Sequence, residues 1–278
     1  MTVTIPKTMI GGHEVSRLVC GSNPFLGFSH FSAARDAWLR RYFDVPLMVE
    51  VLAAVSEMGG NGLVGPADKR LHDALQQHRR ETGRDIVWIA TTYGNPNLEA
   101  QQRELRQLAQ WGAPICLIHA SYSDSHLFRA EGRIEGMEQL LGLARSLGMA
   151  PGVSTHRPET LPTCDAAGYD VECYILPLNS IGFLSSLETN WVARIMRETP
   201  KPVVCIKPLA AGKLMPFEGL NFVYHSIKTT DTVAVGLLSP EEAREDITIA
   251  AEILAGMASL TGLSTSPSKS TVAGKQEA

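Results

Sequence analysis

Short apolar runs alternate along the chain with longer stretches whose apolar residues recur at helical spacing. The run 17-RLVCGS-22 reads as a first strand, and 45-VPLMVEVLAAVSEM-58 as a helix that stops at Gly59 and Gly60. The pairing repeats in 61-NGLVG-65 with 67-ADKRLHDALQQHRR-80, in 85-DIVWIATT-92 with 97-NLEAQQRELRQLAQW-111, and in 114-PICLIH-119 with 133-RIEGMEQLLGLARSLG-148. It continues in 150-APGVST-155 with 158-PETLPTCDAAG-168, and in 171-VECYILPL-178 with 187-LETNWVARIMRET-199. The last pairs are 202-PVVCIK-207 with a weaker helix at 216-PFEGLNFVYHSI-227, and 231-DTVAVG-236 with 239-SPEEAREDITIAAEILAGM-257.

Eight β-then-α units in about 250 residues predict an α/β fold, a (β/α)8 barrel. Parallel barrel strands are covered on both faces, which accounts for their being apolar throughout. A doubly wound open sheet would more usually carry five or six units and a Gly-rich first turn. Ahead of the first strand, 3-VTIPKTMIGGHEVSRL-18 reads as a β-hairpin turning at Gly11 and Gly12, placed to plug the N-terminal end of the barrel. Residues 1–262 form one expected domain; the tail from 263 to 278 lacks apolar periodicity and is expected to be disordered.

Charge and cysteine usage narrow the partners. With 25 basic and 29 acidic residues the formal charge is −4, and no run of Lys or Arg exceeds a pair such as Arg40-Arg41, which argues against nucleic acid. Of five cysteines, Cys20, Cys116, Cys173 and Cys205 fall inside strand-like runs, as small apolar core residues of a reducing compartment do. No stretch approaches the ~18 continuous apolar residues of a membrane span. A soluble cytoplasmic protein with a small-molecule substrate and no membrane partner is expected, and homo-oligomerisation stays open.

Barrel enzymes place their chemistry at the C-terminal ends of the strands, so the residues there are the candidates. They are Asn23 and His30 after strand one, Asp68 and Lys69 after strand two, Thr92 and Tyr93 after strand three, and His119, Ser121 and Asp124 after strand four. His156 follows strand five, Asn179 strand six and Lys207 strand seven. A lone strand-end histidine is more often structural than catalytic. His119 and His156 end adjacent strands, about 4.8 Å apart, and so are able to meet. Asp124 serves either as a loop cap or as the group that fixes a histidine tautomer. Lys207 leaves a buried strand, and its ammonium must find an acid or the pocket; desolvation there lowers its pKa and suits Schiff-base formation. Asn23, His30, Tyr93 and Asn179 are expected to bind substrate, with His30 on a long loop that covers the mouth. His126 reads as a bystander.

The hairpin with 11-GGHEVSRLVCGS-22, the strand 88-WIATTY-93, 203-VVCIKPLAAGKL-214 and 232-TVAVGLLSPEEAREDI-247 fall in the order and spacing of a known pattern. Over most of residues 5 to 257 the chain resembles the aldo-keto reductase superfamily. That family places an Asp and a Tyr after strand two, a Lys on strand three and a His on strand four, and NADPH delivers hydride. By the resemblance those positions hold Val64, no tyrosine, Thr92 and His119, the last alone being retained. The position that stacks on nicotinamide is Ile206, and the turn after strand eight lacks the usual basic residue, leaving Arg244 as a candidate for a phosphate. The stretches 21-GSNPFLGFSH-30, 118-IHASYSD-124, 153-VSTH-156 and 206-IKPLAAGKL-214 also resemble a smaller set of bacterial barrels on a side branch of those reductases.

The leading expectation is a non-redox enzyme, a lyase of aldolase type or an isomerase acting on a small polar carbonyl or sugar-like metabolite. Lys207 forms the iminium or binds an oxyanion, His119 or His156 moves the proton, and Asp124 orients it. A second expectation is a divalent metal held by His119, His156 and Asp124. A third is an NADPH-dependent reductase with His119 as acid, and a fourth is a binding barrel without catalysis. No cofactor is favoured; a divalent metal and NADPH remain open.

Overall fold

A computed structural model describes residues 4–257. The expected tail, and the domain boundary drawn at 262, lie outside the described residues. The chain begins with an antiparallel hairpin, β1 (Lys7–Ile10) and β2 (His13–Ser16), in which Ile10 pairs with His13. Four barrel strands follow: β3 (Leu18–Gly21), β4 (Gly62–Pro66), β5 (Val87–Thr91) and β6 (Ile115–Ile118). A small excursion, β7 (Leu127–Phe128) with β8 (Arg133–Ile134), interrupts the series. The barrel is completed by β9 (Ala150–Ser154), β10 (Cys173–Pro177), β11 (Val203–Ile206) and β12 (Thr232–Gly236), which closes back on β3. All eight barrel pairings are parallel.

The helices are α1 (Asn23–Leu26), α2 (Ala33–Tyr42), α3 (Val45–Glu57), α4 (Lys69–Thr82), α5 (Leu98–Gln110), α6 (Ala120–Ser123) and α7 (Met137–Ser146). They continue with α8 (Thr160–Ala167), α9 (Thr189–Glu198), α10 (Pro216–Ser226) and α11 (Pro240–Leu254). Their starts follow elementary capping chemistry. Asp44, Asp68, Asn97 and Ser239 each accept a backbone N–H of the first turn of α3, α4, α5 and α11.

Two apolar layers result. The outer one lies between helices and strands, with Leu52, Leu63, Leu105, Leu141 and Tyr174 fully buried. The inner one fills the barrel with Val19, Ile89, Ile115, Leu117 and Val204, and the hairpin contributes Ile10 and Val15 to it. The hairpin therefore stoppers the N-terminal end as expected. Its turn needs glycine at Gly11, where φ is +54° and an added Cβ would sit 2.6 Å from that of Ala150.

Three readings of the chain need correction. The helix expected from 133 begins only at Met137: residues 127–134 form the β7–β8 hairpin, and Gly136, at φ 69°, starts the helix. The segment 21–31 is not one loop, because α1 occupies its centre. The helix α2 was not anticipated, since Leu39 is its one buried apolar residue and the sequence carries little stripe to detect. All five cysteines are buried and free. Among the described residues no helix is long and apolar enough to cross a membrane.

Candidate active site

The C-terminal ends of the strands open into a cavity of about 720 Å³. Asn23, His30, Tyr93, His119, His156 and Lys207 line it together with Val64 and Ile206. Six of the eight catalytic and binding candidates thus face one space. The other two, Asp124 and Asn179, do not line it.

Lys207 follows β11 directly, and its backbone lies in the left-handed region at φ 61°. A non-glycine residue there costs about 1–2 kcal/mol, and such strain gathers where side-chain aim matters. Its Nζ ends 3.0 Å from His156 Nε2. Burial lowers the lysine pKa to about 8. The opposite nitrogen of His156, Nδ1, lies 3.7 Å from Asp124 Oδ2, too long for a hydrogen bond but within ion-pair range.

Asp124, at the end of α6, is held more tightly by backbone than by imidazole. Its Oδ2 accepts the His156 N–H at 3.0 Å and its Oδ1 the Thr155 hydroxyl at 2.5 Å. The acid expected to orient a histidine therefore belongs to His156 and not to His119. A carboxylate on the Nδ1 side favours the Nδ1–H tautomer, which leaves the Nε2 lone pair turned toward Lys207.

His119 is organised differently. Its backbone N–H donates to Thr92 Oγ1 at 2.9 Å, and Thr92 in turn donates to Gln101 Oε1. Its side-chain Nδ1 accepts the Ser121 backbone N–H at 3.1 Å. A backbone N–H is an obligatory donor, so Nδ1 carries the lone pair and Nε2 the proton. Burial, with like charge from His156 and Lys207, lowers the His119 pKa to about 4. At neutral pH it is an uncharged N–H donor, suited to polarise a carbonyl or hold an oxyanion and unsuited to take a proton. His119 and His156 line one cavity without bonding each other directly.

The remaining candidates divide. His30, at φ 53°, meets Asn23 Nδ2 through its Nε2 at 3.2 Å. Burial, followed by Lys207 and His156, lowers its pKa. Tyr93 lines the opening and is 38% exposed. Asn179 is used elsewhere: its side chain accepts from Phe183 N at 2.7 Å and donates to Phe183 O at 3.0 Å, pinning the loop ahead of α9. Asp68 caps α4, and Lys69 pairs with Asp73 at 2.6 Å. His126 stacks on Tyr122 at 4.1 Å between ring centres.

The expected metal triad does not assemble. Among the described residues no three His, Cys, Asp or Glu side chains are placed to hold an ion. Within the proposed set, Asp124 is committed to Thr155 and His156 N, and His119 Nδ1 to Ser121.

The whole barrel has counterparts among solved structures. The barrel superposes on a Pseudomonas aeruginosa protein assigned to the aldo-keto reductases, with a TM-score of 0.66 and 16% identity over 91% of this chain and 96% of that one. The fold is aldo-keto-reductase-like. An aldo/keto reductase from Brucella melitensis superposes with a TM-score of 0.62 at 14% identity, over 90% and 93% of the two chains. One from Klebsiella pneumoniae, solved with NADP and acetate, gives 0.55 at 16% identity over 93% of each. No family model and no curated protein matches the chain.

A nicotinamide dinucleotide, implied by this reductase-like fold, is poorly matched by the residues present. The side of the cavity formed by α11 presents Glu242, Glu245 and Asp246. Arg244, the candidate for a phosphate, instead pairs with Glu57 at 3.2 Å. Carboxylates facing a cavity repel the phosphates such a cofactor brings. Sequence reading passed over these acids. The signal was there in Asp246, which shares the buried helical stripe of Ala243, Ile247 and Ala250.

Proposed function

We propose that this reductase-like barrel is a carbonyl-processing enzyme of lyase or isomerase type that works through Lys207. The observation that carries the reading is the 3.0 Å contact between Lys207 Nζ and His156 Nε2 in the wall of a large, mostly apolar cavity. A lysine whose pKa is brought to about 8 by burial supplies a useful fraction of neutral amine near neutral pH.

Neutral Nζ adds to the carbonyl carbon of a small polar substrate, and the carbonyl oxygen takes up the electron pair beside the His119 Nε2–H. The oxyanion takes a proton from solvent to become a hydroxyl, and His156 accepts the proton released from nitrogen and returns it to that hydroxyl, so that water leaves and a protonated iminium remains. The iminium then draws electrons from the neighbouring C–H bond, whose proton passes to His156, for isomerisation, or from the C–C bond one carbon further out, with the proton of the hydroxyl on the far carbon passing to His156, for cleavage. Reprotonation and hydrolysis free the lysine. Asp124 acts as a positioning residue, holding the His156 backbone and facing its Nδ1.

Incubation with short hydroxyaldehydes and hydroxyketones plus cyanoborohydride, followed by peptide mass mapping, tests this. The expected adduct is on Lys207; modification spread evenly over surface lysines refutes the reading. A second reading, nicotinamide-dependent carbonyl reduction, draws on the names of the solved neighbours and on His119 as an N–H donor. Fluorescence titration with NADPH separates the two, and the acids of α11 favour the first.

A further inference from the structure

We propose that the α11 side of the cavity is a subsite for a cationic nitrogen, an alkylammonium or guanidinium group carried by the ligand. Asp246 is its centre: 3% exposed, it lines the cavity, and its Oδ1 is fully buried with no hydrogen-bond partner. A buried carboxylate left unpaired is costly, and folded proteins supply it with a partner as a rule. Here the protein supplies none to Oδ1, and Asp246 itself is part of the cavity wall.

The surroundings strengthen the same sign. Glu242 and Glu245 line the cavity beside it. Glu242 also accepts the Leu238 N–H at 2.8 Å as part of the helix start. Burial and these two acids raise the Asp246 pKa to about 7, the mark of negative charge crowded without a counter-ion. Two arginines of this part of the molecule are engaged elsewhere: Arg244 pairs with Glu57, and Arg35, which lines the cavity, lies over the Phe31 ring at 5.4 Å.

The chemistry points to an organic cation. Among the described residues the acids do not converge in a group of three able to hold a metal, whereas an ammonium or guanidinium spreads several N–H donors over separate carboxylate oxygens. Leu39, Val235 and Leu238 line the same cavity and offer apolar wall to a methylene chain. The subsite stands on the cavity alone and does not need Lys207 to be reactive. If both hold, the substrate is a carbonyl compound bearing a basic nitrogen.

Calorimetric titration of the full-length protein with hexylamine, hexanol, hexanoate and magnesium chloride tests the subsite without any chemistry at Lys207. Binding of hexylamine with no detectable binding of hexanol or hexanoate is expected. The Asp246→Asn variant, which keeps the shape and removes the buried charge, should bind hexylamine at least about tenfold more weakly, and Glu245→Gln about twofold. Three results overturn the proposal: equal hexylamine affinity in Asp246→Asn, binding of hexanoate as tight as hexylamine, or stoichiometric magnesium binding that displaces the amine. Thermal melting of each variant guards against misfolding. A failure here leaves adduct formation at Lys207 untouched, and the reverse also holds.

Discussion

The Ser121 backbone N–H lies 3.1 Å from His119 Nδ1 and fixes the tautomer of that imidazole. Two-bond nitrogen–proton spectra should therefore show His119 as the Nε2–H form throughout the neutral range, with no titration until pH approaches 4. A midpoint near 6.5 would remove His119 from the role of neutral donor.

The same histidine should shape acid stability. A histidine whose pKa falls from 6.5 in the unfolded chain to about 4 in the fold takes up its proton first when unfolded. Its contribution is intact above pH 6.5, is lost as pH falls through 4, and amounts to about 3 kcal/mol at full protonation. His119→Gln should flatten the fall in unfolding free energy across that window, measured by urea denaturation at a series of pH values.

Lys207 gives the opposite limb. Its pKa falls from 10.5 to about 8, so the fold gains stability as pH rises above 8, where the folded form has already shed a proton that the unfolded chain keeps. Lys207→Met should raise stability at pH 7 by on the order of 2 kcal/mol, because a desolvated charge is removed. It should also abolish borohydride trapping, whose rate in the unaltered protein should climb through pH 8. Unchanged trapping in the variant would sink the proposed role of Lys207.

Asp124 and Asn179 should behave differently under truncation. Asp124→Ala leaves the His156 N–H and the Thr155 hydroxyl without their acceptor, and a loss of about 1–3 kcal/mol is expected together with slower trapping. Asn179→Ala should cost a similar amount while leaving adduct formation unchanged, since its amide serves Phe183. Equal effects of the two on trapping would contradict this division.

His30 sits at φ 53°, and glycine adopts that conformation freely. His30→Gly should therefore hold or raise the melting temperature while weakening ligand binding, because the Asn23 contact at 3.2 Å disappears. A clear drop in melting temperature would show that the histidine is structural.

Which of these residues were visible in the chain itself follows from the range of the interactions involved. Strand ends are set by local apolar runs, so His119, His156 and Lys207 could be assigned to the mouth before any coordinates. Pairing depends on a sheet order and a loop path of long range, which is why Asp124 was given to neither histidine and Asn179 was placed in the pocket. The α2 helix buries one leucine and left almost no periodic trace. Asp246 was hidden by its helix, where an acid reads as a solvated position until the neighbouring stripe is known to be buried.

The hairpin of Lys7–Ile10 and His13–Ser16 has a consequence for traffic. With Ile10 and Val15 wedged into the barrel floor, the vessel is a cup and not a tube. A molecule that reaches Lys207 must leave by the rim it entered, past His30 and Tyr93. Arrival and departure then share one doorway, so an accumulating product obstructs its own successor, and product inhibition should be competitive with substrate.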